Sequence, residues 1–373
     1  MKALLLTLLL SIGLNGIVFA DDAYDAYQNK DFKTAFNEYH QRAEQGEAKA
    51  QLNLALMYLK GEGVSSDQEK AIYWLRKAAE QGLATAQYML GWSYGFDRWG
   101  KQYFENIEEP LKWLTKAAEQ GDERAQDELG SWYFYGGVDG EIEKSISEAL
   151  KWYVKAAEQG NADAQNQLGD MYYIYGLLGK DKQEEAFKWY TKAAEQDDSR
   201  AQFQLGSMYE AGDGVLKNLN EALKWYKKSA ELGNSKAQFL LGEKYYFGED
   251  VLKDYYEAFD WYSRSAISGD AVSQFNIGLM YANGEGVSKS DNNAVTWLTK
   301  AAEQEYAGAQ YSLGRLYSHG YGERTFTPLK VGPLKDRVKA KYWTKKAYEN
   351  PNASPEIKEL AEHIWNTLKL WEY

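Results

Sequence analysis

Apolar and small residues recur along this chain at helical steps, and one step pattern returns at near-constant intervals. Residues 71–94 read A-x-x-W-x-x-K-A-A-E-x-G-x-x-x-A-Q-x-x-L-G-x-x-Y, and the skeleton comes back down to Tyr317. Ala86, Leu90 and Tyr94 follow one another at four-residue steps, which places them on one face of a helix. Ala71, Trp74 and Ala78 do the same for another helix. Each unit therefore predicts a first helix carrying A-Q-x-x-L-G-x-x-Y and a second carrying A-x-x-W-x-x-K-A-A-E. The interval from each tryptophan (Trp74, Trp113, Trp152, Trp189, Trp225, Trp261, Trp297) to the next Ala-Gln, Ser273-Gln274 once, never changes. Neither does the interval from there to the tyrosine. Residues recurring at one place in every unit are expected in the core, the small ones allowing close helix approach and the rings filling space between units.

Turn signals agree. Gly82, Gly121, Gly160, Gly233 and Gly269 follow the second helices as left-handed caps, with Asp197 and Glu305 in their place in two units. The G-x-G-V turns at Gly61, Gly212 and Gly284 call for positive φ. Extra length falls in the loops at about 95–110, 135–149, 173–186 and 319–340, and insertions on one edge of a repeat array commonly mark its working edge. Residues 21–46 read as an opening half-unit with Glu38 where a tryptophan is due. Ser354-Pro355-Glu356 opens a C-terminal capping helix, 354–373, in which Trp365 and Trp371 close the last core face.

The motifs are similar to those of Sel-1-like repeats, a branch of the tetratricopeptide-like helical repeats. The consensus is met nearly in full by 48–82 and 199–233. The resemblance covers about residues 35–350, with units at about 48–82, 84–121, 123–160, 162–197, 199–233, 235–269, 271–305 and 307–350. It implies an all-α fold, an α/α superhelix (solenoid) of about eight two-helix repeats with terminal caps. Such proteins act as adaptors for other proteins, and their first helices line the concave surface. Exported members resemble partners of cell-wall enzymes and polysaccharide systems, and immunity proteins that neutralise toxins. A disulfide-rich group carries a β-lactamase-like activity, but this chain has no cysteine, so that activity is not carried over.

Residues 1–20 have the form of a secretory signal: Lys2, an apolar run from Ala3 to Leu14, and small residues at Val18 and Ala20 for cleavage before Asp21. A periplasmic or secreted product follows, with no membrane insertion after cleavage and no cysteine for a lipid anchor. The formal charge of −12 argues against nucleic acid as a partner. The three histidines, His40, His319 and His363, show no metal-ligand spacing, and no nucleophile elbow or phosphate loop occurs. The expectation is a monomeric, non-enzymatic scaffold with no cofactor and no metal, binding another protein. The alternatives are an immunity-type inhibitor, and a β-lactamase-like or peptidoglycan-binding protein.

Candidate partner-binding positions are those that differ between units. Counted from the Ala-Gln alanine, the third, sixth and tenth residues form one helical stripe: Asn53, Leu56 and Lys60 in one unit, Glu128, Ser131 and Tyr135 in another. In the second and third units it turns apolar at Met89, Trp92 and Phe96, then Trp132 and Tyr135, with Trp99 in the adjoining loop. Trp and Tyr are favoured contact anchors. The second candidate is the basic segment 320–341, where Lys330, Lys335 and Arg337 stand out against the acidic chain.

Overall fold

A computed structural model describes residues 22–95, 107–136, 142–174, 182–318, 336–367 and 369–370. The helices are α1 Asp22–Gln28, α2 Phe32–Glu44, α3 Ala48–Lys60, α4 Gln68–Glu80, α5 Ala84–Gly95, α6 Glu108–Glu119, α7 Glu123–Tyr135, α8 Ile146–Glu158 and α9 Ala162–Tyr173. They continue as α10 Gln183–Glu195, α11 Ser199–Ala211, α12 Leu219–Glu231, α13 Ser235–Phe247, α14 Tyr255–Ile267, α15 Ala271–Asn283, α16 Asp291–Glu303, α17 Ala307–Ser318, α18 Arg337–Glu349 and α19 Pro355–Thr367. No strand occurs among the described residues. The chain forms two compact bodies, 1–180 and 181–373. Within each, helices pack on those before and after them in sequence. The expected signal segment, 1–20, lies outside the described residues. No described helix is long and apolar enough to cross a membrane.

The pairing follows from four recurring contacts. The first is a buried glutamine. The Gln of each Ala-Gln or Ser-Gln donates its amide to the carbonyl of the alanine eight residues earlier, which closes an A-A or S-A pair in every unit but the first. Gln51 reaches Ala43, Gln202 reaches Ala194 and Gln310 reaches Ala302, and all eight bonds span 2.9–3.2 Å. Each of these carbonyls also accepts the backbone N–H of the left-handed residue three positions on, so the glutamine amide finds its buried partner on a carbonyl that takes two bonds. The glutamine that ends the A-A-E-Q run then donates to the buried one in its own unit, as Gln81 does to Gln51 and Gln120 to Gln87.

The second contact explains the glycine of Leu-Gly, which every unit keeps except the first, where Ala55 stands. A Cβ on Gly130, Gly206 or Gly242 would sit 2.6, 2.5 and 2.5 Å from the rings of Tyr153, Tyr226 and Tyr262. Those tyrosines lie flat on the first helix and are 1–2 % exposed. The third involves Trp-x-x-Lys. Each cation lies over the indole one turn back: Lys116 over Trp113 at 4.7 Å, Lys192 over Trp189 at 4.0 Å, Lys300 over Trp297 at 4.0 Å. Half-buried rings such as Trp189 thus stay partly covered on their wet side.

The fourth contact is the turn. Gly63, Gly214 and Gly286 have φ of 72, 67 and 66°, and a Cβ there would strike the backbone of Phe32, Gln183 and Tyr255. Each turn is thus seated on the start of the preceding second helix. At the helix ends Asp197 and Glu305 keep the left-handed conformation, φ 64 and 62°, that glycine adopts in the sister units. Packing therefore imposes the cap even on residues that dislike it.

At the termini, α1 and α2 make up the opening half-unit, and Tyr39 is buried there. The C-terminal helix is described to Thr367, with Trp365 packed on the last core cluster and Leu370 buried in it. Trp371 lies outside the described residues. The last insertion also ends earlier, since α18 begins at Arg337.

Three units lack the terminal glutamine: the last has Asn350, which still reaches Gln310, and the other two have Leu232 and Ser268. There Gln202 Oε1 and Gln238 Oε1 are buried without a hydrogen-bond partner among the described residues. Leu232→Gln should therefore stabilise the protein by about 1 kcal/mol, the net worth of one restored bond, read as a higher thermal melting point. Gly242→Ala should cost about 1–3 kcal/mol through overpacking against Tyr262, measured the same way.

Candidate functional site

The variable stripe lies on the first helices, whose other faces are fixed by the contacts above. Most stripe positions are half-buried: Asn53, Trp92, Glu128, Ser131, Gln167, Asp170, Gln204, Glu243, Leu279. Leu56 and Ser312 are buried. At the C-terminal ends of the first helices, Tyr135, Ile174 and Phe247 are 50, 53 and 59 % exposed. Large apolar side chains there gain nothing from the fold by facing water.

The predicted aromatic cluster is only partly at the surface. Trp92 is half-buried against the core cluster of the first body. Tyr135 is exposed and meets Phe134 edge-on, centroids 4.8 Å apart. Met89 and Trp132 are core residues at 1 and 3 % exposure, not surface anchors. Trp132 stands seven residues after its alanine, where Met57, Met171, Met208 and Met280 are also buried. The repeat register thus carried the signal that sequence neighbourhood obscured. Met89 is enclosed by the cluster that holds Trp113 and Leu114. Phe96, Trp99, Lys330 and Lys335 lie outside the described residues. Arg337 falls in the first turn of α18, just after its cap Asp336, and Lys339 bonds that same carboxylate through its backbone and ammonium. The cations from 337 onward are thus borne on a helix rather than a loop.

Ionisable groups gather at two places that pattern reading missed. In the first body, α7 replaces the usual apolar residue after Ala-Gln (Leu52, Phe203, Phe239) with Asp127, and Glu128 follows. Trp132 Nε1 donates to Glu128 Oε1 at 2.8 Å. Glu128 is half-buried, and desolvation raises its carboxyl above the usual range, against the lowering effect of that bond. Burial also pushes the Tyr153 hydroxyl up, with the Asp127 charge adding to it. Arg124, one turn before Glu128, is held by Asp122 at 2.6 Å and lies over the Tyr88 ring at 4.8 Å.

In the second body, Lys244 occupies the core position of those methionines and is buried. It donates to Glu210 at 2.7 Å and to Asp250 at 2.8 Å, while Tyr226 also donates to Glu210. Asp250 stands where G-x-G-V has its second glycine, at φ 61°. Burial alone would lower the lysine, but Asp250 and Glu210 hold it above its ordinary range. Its neighbour Glu243, on the stripe, is raised by burial and by the Glu249 charge. No metal-binding group of acids and histidines exists among the described residues.

Repeating helix pairs with a constant interior and a variable half-exposed stripe define a helical-repeat scaffold. The Sel1 repeat model matches at 48–83, 84–122, 123–161, 162–198, 199–234, 235–270, 271–306 and 307–352, and the chain belongs to that family. A protective antigen of uropathogenic Escherichia coli displaying an SLR fold is 32 % identical, covering 91 % of this chain and 72 % of that one, with a TM-score of 0.71. A Sel1 repeat protein from Oxalobacter formigenes is 28 % identical over 93 % of this chain and 95 % of its own, TM-score 0.65. Among curated proteins no sequence match was found. Sel1 repeat proteins generally mediate protein–protein interaction and are typically non-enzymatic.

The Lys244 network has a testable energetic signature. Lys244→Met should cost about 1–2 kcal/mol, since it leaves carboxylates that are only a third exposed facing each other. Adding Asp250→Gly should recover most of that loss, because both positions then match the sister units. Thermal unfolding of the single and double variants measures it. A raised lysine contributes stability that is complete below its ordinary range and lost as pH rises through the folded value. The wild type should therefore lose this contribution only in strong alkali, and Lys244→Met should have none to lose.

Proposed function

We propose that this chain is an exported scaffold that holds another protein against the stripe of its first helices. The observation that carries the reading is a division of labour within each unit. Buried positions repeat from unit to unit, whereas the half-exposed stripe changes its chemistry at every step. A surface maintained only for solubility has no reason to keep Trp92, Tyr135, Ile174 and Phe247 accessible. Half-buried and exposed aromatics on rigid helices are efficient anchors, because little side-chain entropy remains to be lost on binding. The form of residues 1–20 is in keeping with an exported location. On that reading the mature chain begins at Asp21, which N-terminal sequencing of the exported product checks.

The binding test uses Trp92→Ala with Tyr135→Ala. The double variant should keep its helical circular dichroism and lose at least tenfold in affinity for the protein captured by the wild-type chain. Unchanged affinity in a folded variant would remove this stripe as the binding surface.

A further inference from the structure

Among the described residues, two of the stripe's carboxylates, Glu128 and Glu243, have no cation paired with them. Glu128 lies on α7 in the first body and Glu243 on α13 in the second. Both are half-buried and both are held against ionisation by desolvation. Each has a cation close by in sequence, but that cation is committed elsewhere. Arg124 is taken by Asp122, and Lys244 by Glu210 and Asp250. Among the described residues, the hydrogen bond to Glu128 comes from the Trp132 indole.

A half-buried carboxylate without a counter-charge works against the fold, and natural proteins usually pair such groups or leave them in water. The sister units show that neither acid is required for packing. The position of Glu128 is Asn53, Gln167, Gln204 or Asn276 elsewhere, and that of Glu243 is Ser131, Ser207 or Leu279, with an acid again only at Asp170. The cost is therefore accepted in the free protein and recovered when a cation arrives. An aromatic border suits such a cation: Trp92 and Tyr135 in the first body, Phe247 in the second. Resting on the reading above, we infer that Glu128 and Glu243 are two separate docking points, one in each body, and that each takes a lysine or arginine side chain of a protein partner beside apolar residues that meet the nearby ring.

Defined peptides test this on the full mature chain. Calorimetry would compare a capped (Leu-Lys)5 peptide with its (Leu-Ser)5 and (Leu-Glu)5 counterparts at low and moderate salt. The lysine peptide should bind, the other two should not, and added salt should weaken binding. Glu128→Gln with Glu243→Gln should lower its affinity about tenfold or more. The same number of charges removed from exposed second-helix positions, Glu158→Gln with Glu231→Gln, should change it less than threefold. These variants are isosteric, and circular dichroism confirms their fold. Equal losses in both pairs would show general attraction to an acidic protein and overturn the inference. So would binding that ignores Glu128 and Glu243 yet falls with Trp92→Ala plus Tyr135→Ala, although the scaffold reading would stand. A captured protein partner unaffected by either set would remove both.

Discussion

The buried glutamine at the head of every first helix is the constraint on which the rest depends. Its amide must reach the carbonyl of an alanine eight residues earlier, across the turn joining one unit to the next. That bond fixes how far the chain advances between helices and which way it leaves the turn. Leaving a buried amide or carbonyl unpaired costs about 1–3 kcal/mol. A unit that broke the register would carry that cost at its boundary. The left-handed residue in the turn follows from the same geometry. It keeps its conformation even where Asp197 or Glu305 must adopt it.

Once the turn is set, the helices come close enough that only glycine fits beneath Tyr226 or Tyr262. Close approach by a flat ring excludes water and yields dense packing without a large apolar core. The tryptophans sit nearer the edge, where Trp189 and Trp297 are only half-buried, so a lysine one turn on shields each from water. Every conserved element of the repeat thus answers to a neighbour in the next helix or turn. The stripe is what remains when those demands are met. Where its side chains stay half-exposed it is free to vary, because the four recurring contacts do not use it, and that freedom makes it available for recognition.

Local exceptions show how much the scaffold tolerates. Lys244 stands where other units bury methionine, and the second turn glycine has become Asp250, which turns back to hold it. The substitution at one position thus accompanies a change at another six residues away and an acid from the neighbouring unit. Asp127 and Tyr153 form a comparable polar interruption in the first body.

How much was legible in the sequence depends on range. Helix identity, the pairing of helices, the left-handed caps and the terminal closure could be read from spacing, because these are fixed by residues three, four or eight positions apart. Tryptophans and tyrosines at repeated places were correctly assigned to packing. The anchor list was less successful. Trp92 and Tyr135 are accessible, but Met89 and Trp132 are core, because facing solvent depends on the next helix and not on neighbours in sequence. That Glu128 and Glu243 have no paired cation among the described residues was not legible at all. Composition supplies cations enough for both, and only the folded chain shows that Arg124 and Lys244 are already bound to other acids. Periodicity alone determined that this is an all-helical repeat protein. Tertiary structure decided which of its charges were left over, since pairing is a matter of distance across helices that the linear chain does not contain.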